Sequence, residues 1–168
     1  LYALASGQTR NITEGMGGYD THPRFSPDGK RISWISMERD GYEADLKRLF
    51  VQDLKTGQKT FLTDGFEYDV DELQWAANSQ SIFFLSTKHA EAQLWEIALK
   101  GRKIRQITTG MHDYTSLDVQ GDKILAGRQS YIEPTDLYLV DIKTGAAKQL
   151  TAENKSTLDD LAPISVEK

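Results

Sequence analysis

Leu49-Phe50-Val51-Gln52-Asp53-Leu54-Lys55-Thr56-Gly57 returns as Leu137-Tyr138-Leu139-Val140-Asp141-Ile142-Lys143-Thr144-Gly145, and each copy runs on to a Leu-Thr pair ending at Thr63 or Thr151. Apolar residues before a Lys-Thr-Gly turn, with a second short run after it, read as the two strands of a hairpin. A third copy extends from Leu94-Trp95-Glu96-Ile97-Ala98-Leu99 to Ile107-Thr108, with one extra residue expected around Gly101. A truncated fourth copy runs from Leu1-Tyr2-Ala3-Leu4 through Gly7 to Ile12-Thr13.

The closing threonines, Thr13, Thr63, Thr108 and Thr151, are 50, 45 and 43 residues apart. Such a period is the length of four short strands with their turns, the size of a propeller blade. A second hairpin fills the interval. Pro23-Arg24-Phe25-Ser26-Pro27-Asp28-Gly29-Lys30-Arg31-Ile32-Ser33-Trp34 reads strand, turn, strand, with Pro27 presetting φ and Gly29 free to turn left-handed. Trp75 to Ser86 repeats it with Ala77-Asn78-Ser79 in the turn, where Asn78 is expected to take the left-handed position. Ser116 to Ala126 is a shorter copy turning at Gly121.

The chain therefore reads as all-β, a partial β-propeller of four-stranded antiparallel blades, about three and a half of them. Expected boundaries are a hairpin at 1–13, blades at 14–63, 64–108 and 109–151, and a polar tail at 152–168. An arc of this length leaves two sheet edges that a complete ring would pair. The start at Leu1, inside an apolar alternation, suggests a fragment or a processed form.

Composition narrows the function. The 168 residues carry a net charge of −5, which argues against the basic footprint needed on nucleic acid. The longest apolar runs, Ile82–Leu85 and Leu137–Val140, are four residues, far short of the roughly 20 that cross a bilayer. With no Cys there is no thiolate nucleophile or Cys-ligated zinc. No G-x-S-x-G elbow, Walker loop, G-x-G-x-x-G run or H-E-x-x-H pair is present, so neither catalytic residues nor a cofactor or metal site is expected. His22, His89 and His112 are scattered and read as structural or solvated.

In an up-and-down blade the turns a–b and c–d share one face, and the loops b–c and the blade-to-blade connections share the other. The first face holds only minimal turns. The second receives connections Glu14–Asp20, Asp64–Asp71 and Thr109–Tyr114, with b–c loops Met37–Arg48, Thr87–Gln93 and Arg128–Asp136. Function belongs on that second face. Met37–Arg48 is the longest of these loops, with seven charged residues in twelve, and reads either as solvated surface or as a binding element. Asp64–Glu72 holds five acids in nine but lacks the calcium-loop spacing. Trp34, Trp75, Trp95 and Tyr138 lie on strands and read as core.

The F-S-P-D-G-K-x-I run followed by L-F-V-x-D-L-K-T-G and a terminal L-T resembles the propeller of the prolyl oligopeptidase family of serine peptidases. Tol-Pal-type periplasmic propellers share the repeat. The loop Met37–Asp45 and the ending Leu150-Thr151-Ala152-Glu153-Asn154-Lys155 are similar to the bacterial dipeptidyl-peptidase-like branch. That resemblance implies a non-catalytic propeller capping an α/β-hydrolase domain of the same parent chain, toward which the tail leads. It also implies a peptide substrate and a periplasmic or secreted location. In such peptidases propeller loops present carboxylates or Arg to the peptide, which makes Glu43 and Asp45 candidate ammonium acceptors and Arg39 a candidate carbonyl contact or ion-pair partner. The paired-Glu motif of the mammalian branch is absent. The competing expectation is an interaction propeller without enzymatic activity.

Overall fold

The computed structural model describes residues 1–159. Three antiparallel sheets succeed one another along the chain, each in sequential strand order. Blade 1 contains β1 (Asp20–Phe25), β2 (Arg31–Ser36), β3 (Arg48–Asp53) and β4 (Lys59–Phe61). Blade 2 contains β5 (Leu73–Trp75), β6 (Ser81–Lys88), β7 (Glu91–Ala98) and β8 (Ile104–Gln106). Blade 3 has its inner strand split into β9 (Asp113–Tyr114) and β10 (Asp118–Gln120), both on β11 (Lys123–Gln129), followed by β12 (Asp136–Asp141) and β13 (Ala147–Gln149). A short helix, α1 (Lys155–Leu158), follows in the expected tail, whose residues 160–168 lie outside the described part.

The repeated motifs have a local cause. Asp53 Oδ1 accepts the backbone N–H groups of Lys55 (3.0 Å) and Thr56 (2.8 Å) and the Thr56 hydroxyl (3.1 Å), while Gly57 turns left-handed at φ 76°. Asp141 binds the Thr144 N–H and hydroxyl, both at 2.8 Å, and Gly145 has φ 73°. These are side-chain-mimicked turns, held by contacts within five residues of chain. The closing threonines have a different task. Thr63, Thr108 and Thr151 each accept, through Oγ1, the N–H of the residue fourteen positions back, Leu49, Leu94 or Leu137, at 3.0, 3.0 and 2.9 Å. The hydroxyl thus extends the outer strand's ladder by one bond.

That constant separation corrects the expected insertion near Gly101. The third copy has the same length, and Arg102 stands, at φ 49°, where the other copies have glycine. A second correction concerns the degenerate turn. Ser79, not Asn78, takes the left-handed position at φ 59°, while Asn78 Oδ1 accepts the Gln80 N–H at 2.9 Å. Ser79 Oγ in turn accepts the Asp28 N–H at 3.1 Å, so the serine joins the turns of blades 1 and 2. A glycine would avoid the strain but lose that bond.

The core lies between blades. Ile35, Leu49, Val51 and Leu62 of blade 1 meet Ile82, Phe84, Trp95 and Ile97 of blade 2. The opposite face of blade 2, with Phe83, Leu85 and Leu94, meets Ile124, Ala126 and Val140 of blade 3. Blade 2 is therefore covered on both faces, which explains its continuous apolar run Ile82–Leu85. Trp34, Trp75, Trp95 and Tyr138 are buried as expected. Gly145 lies against the Ile107 carbonyl so closely that a Cβ there would overlap it.

Candidate functional site

The b–c loops differ sharply from one another. The expected loop Thr87–Gln93 is not a loop: β6 and β7 pair out to Lys88 and Glu91, leaving a two-residue turn at His89 (φ 53°) and Ala90 (φ 62°). Between Ser36 and Arg48, by contrast, the chain leaves the sheet altogether.

This departing loop is organised around one carboxylate. Asp45 is only 8 % exposed and accepts the Arg39 backbone N–H at 2.6 Å through Oδ2 and the Arg39 Nε–H at 2.9 Å through Oδ1, with the Arg39 Nη2 on Oδ1 as well. The Arg39 guanidinium lies 3.8 Å from the centre of the Tyr42 ring, and the Asp45 N–H donates to the Tyr42 carbonyl at 3.1 Å. Gly41, at φ 69°, makes the bend that brings these partners together. Hydrogen bonding to Arg39 holds the Asp45 carboxyl below the usual carboxylate range. Both Asp45 oxygens are thus engaged within the loop. Glu43, at the exposed tip, has no hydrogen bond or ion pair among the described residues.

The loop's exit is strapped to the connection that enters blade 2. The Lys47 N–H donates to Asp69 at 2.8 Å, Lys47 Nζ reaches Asp71 at 2.8 Å, and the Val70 N–H donates to the Lys47 carbonyl at 2.9 Å. Phe66 anchors the same connection, meeting Trp95 edge-on at 5.3 Å and Phe84 at 5.7 Å. Between loop and connection lies a depression of about 350 Å³ lined by Ala44, Leu46, Glu67, Tyr68, Asp69, Asp71 and Thr87. Asp71 is neutralised by Lys47, so the negative charge that Glu67 and Asp69 bring to the depression is what attracts a cation there.

Sequence reading brought Arg39, Glu43 and Asp45 together, and the structure places them on one loop. It puts the connection Asp64–Asp71 on the same face but singles out none of its residues, whereas Glu67, Tyr68 and Asp69 line the depression. Their predicted face, shared with Met37–Arg48, was the available signal. Among the described residues no group of His, Asp and Glu is arranged to hold a metal ion. His112 is half-buried against Gly110 and lies edge-on to Tyr114 at 5.3 Å. Burial, with Arg128 adding to it, pushes its pKa down.

A family model described as the TolB beta propeller domain matches residues 1–165. The chain belongs to that family. Two curated relatives match this TolB-type propeller chain along nearly all of its length. Dipeptidyl-peptidase 5 of Porphyromonas gingivalis is 60 % identical over 168 residues, covering 100 % of the chain and 25 % of the relative. Dipeptidyl-peptidase 5 of Porphyromonas endodontalis is 54 % identical, covering 99 % and 24 %. The chain spans about a quarter of the length of these relatives. Solved structures share its fold. TolB from Acinetobacter baumannii superposes with a TM-score of 0.68 at 21 % identity, over 89 % of this chain and 36 % of that one. An acylaminoacyl peptidase of Pyrococcus horikoshii gives 0.66 at 20 % identity, over 80 % and 20 %. No helix among the described residues is long and apolar enough to cross a membrane.

Proposed function

We propose that the chain is the non-catalytic propeller portion of a dipeptidyl-peptidase-type serine peptidase of the prolyl oligopeptidase family, exported to the periplasm or secreted. In this reading the reaction occurs in an α/β-hydrolase portion of the same polypeptide. The propeller caps that site, restricts substrate size and helps hold the peptide's amino terminus. Identity of 60 % to a protein named dipeptidyl-peptidase 5 supports the peptidase class.

The observation that carries the substrate role is the division of labour inside loop 37–47. Asp45 and Arg39 neutralise each other and fix the backbone, so Asp45 acts as a positioning residue and Arg39 serves as its ion-pair partner. Asp40 and Glu43 are the two carboxylates of the loop left without an ion pair, and of the two Glu43 is next in sequence to Ala44 on the wall of the depression. A peptide ammonium entering this face exchanges water for a charge-assisted bond to Glu43, and the bond's location sets how far the chain reaches toward the catalytic centre. Glu67 and Asp69 add to the attracting field.

The test uses the whole peptidase. Glu43→Gln is expected to lower kcat/KM for free-amino-terminus dipeptidyl substrates roughly 10- to 100-fold, the usual worth of a hydrogen bond to a charged group. Amino-blocked analogues are expected to be unaffected. Equal loss on both substrate classes would remove the ammonium role. A parent with no serine-inhibitor-sensitive turnover would favour the alternative, a protein-interaction propeller.

A further inference from the structure

One edge position recurs in all three blades. Ile35, Leu85 and Gly127 lie opposite Leu49, Leu94 and Leu137, the leucines whose amides the closing threonines cap. Two residues further on stand Met37, Thr87 and Gln129. In blade 1 the Met37 N–H donates to the Tyr19 carbonyl at 2.9 Å, and in blade 3 Gln129 pairs with Asp113. Both times the connection entering the blade fills the edge beside the second strand.

Blade 2 has the same edge unpaired. There the Asp71 N–H donates to the Leu85 carbonyl at 3.0 Å, which makes Asp69 the counterpart of Tyr19 and Asp113. Lys47 holds that stretch instead, with the Val70 N–H on its carbonyl at 2.9 Å and its own N–H on Asp69 Oδ1 at 2.8 Å. The two-residue turn makes Lys88 and Glu91 a hydrogen-bonded pair, so Thr87 and Ala92 are not bonded to each other and their backbone groups point out of the hairpin. On its side the Ala92 N–H meets Asp113 Oδ1 at 2.8 Å. The Thr87 N–H, on the opposite side, has no hydrogen-bond partner among the described residues. Asp69 and Thr87 both line the depression of about 350 Å³.

We infer that the first residue of the peptide substrate adds to this edge, its carbonyl accepting the Thr87 N–H while its ammonium lies toward Glu67 and Asp69. An unpaired strand edge in a depression calls for extended backbone, and the carboxylates call for a positive charge on it. A free amino terminus supplies both within one residue. The depression also fixes the direction of the chain. One position inward, Leu85 is already bonded to Asp71 and Glu72, so the edge is closed there and the peptide runs outward from its ammonium. A segment from the middle of a chain would need an exit at that closed end. Thr87 thereby sets the register of the peptide backbone without reading a side chain, and Glu43 remains a partner for the ammonium.

The inference rests on the peptidase reading, and the experiment separates the two. The whole peptidase is assayed with Ala-Ala p-nitroanilide and with the analogue whose first carbonyl is a thiocarbonyl, a weak hydrogen-bond acceptor. Thr87→Pro removes the N–H at an edge position where no ladder bond is lost. The unsubstituted enzyme is expected to favour the oxygen substrate about tenfold in kcat/KM, as one hydrogen bond does, and Thr87→Pro to lose that preference. Because the preference is a ratio within one enzyme, an unfolded fraction cancels from it. No preference in the unsubstituted enzyme, or an equal preference in both enzymes, would overturn the inference and leave the peptidase reading standing. Absence of any serine-inhibitor-sensitive turnover would overturn both.

Discussion

The second and third strands of blades 1 and 2 are joined in opposite ways. In blade 2 the connection is as short as a hairpin allows, two residues, His89 and Ala90, with every flanking position paired. In blade 1 eleven residues, 37–47, stand between the same two strands. The short turn is held by the sheet and strained within itself, since a residue with a Cβ is costly at positive φ. The long loop receives little from the sheet and is held by its own chemistry, the Asp45–Arg39 pair with Tyr42 stacked on it. A loop that carries its own framework can change its exposed residues without disturbing the blade beneath. That freedom is what a recognition element needs.

The contrast is open to direct attack, most strongly at Asp45. Asp45→Ala removes the acceptor of three donors, and amides 39–46 are expected to lose hydrogen-exchange protection at least about tenfold while blade 2 amides keep theirs. A uniform loss across both blades would show that the loop is not independently organised.

The short turn should respond in the other direction. Replacing His89-Ala90 by Asn-Gly relieves two positive-φ side chains and is expected to stabilise the protein by about 1 kcal/mol, or roughly 2–4 °C in Tm for a chain of this size. An unchanged or lower Tm would mean that the turn is not strained.

The smallest effect expected is on pH. Asp45 has its folded pKa below its unfolded value of 3.8, so its contribution is complete above that pH and is lost only as pH falls through the lower folded value. His112 also has a folded pKa below its unfolded value of 6.5, so the unfolded chain takes up this proton first and stability declines as pH drops below about 6.5. Between pH 7 and 5 the expected slope therefore comes from the blade 2–blade 3 connection and not from loop 37–47. Thermal melts of His112→Gln across this range should show a shallower decline. A slope unaltered by the substitution would move its origin elsewhere.

Much of this architecture is legible in the sequence because its causes are local. An Asp that folds back on the N–H of a Thr three residues on needs no partner from another blade, so D-x-K-T-G reads as a turn wherever it occurs. The unread parts all depend on distant or compensating residues. Ser79 looks like a defective glycine until Asp28, 51 residues earlier, is seen donating to it. Thr87 and Lys88 look like loop by composition, although cross-strand pairing with Ala92 and Glu91 keeps them in the sheet. Arg102 in a glycine position disguised a repeat of constant length as one with an insertion. At the candidate site, residue types identified the charged loop, but nothing in their order told that Asp45 would turn inward and Glu43 outward. Arg39, six residues away from Asp45, made that choice.

The threonine that ends each unit has a consequence for how the chain is made. Thr63, Thr108 and Thr151 cap an amide only fourteen residues behind them. On a polypeptide emerging from the ribosome amino end first, that hydroxyl becomes available before the next unit's inner strand has left the exit tunnel. Each outer hairpin can therefore close on residues already synthesised, with a loop-closure cost that is small for so short a separation. Sealing one unit before its successor appears limits the time in which similar hairpins from different units can pair with the wrong neighbour, the hazard built into every repetitive chain.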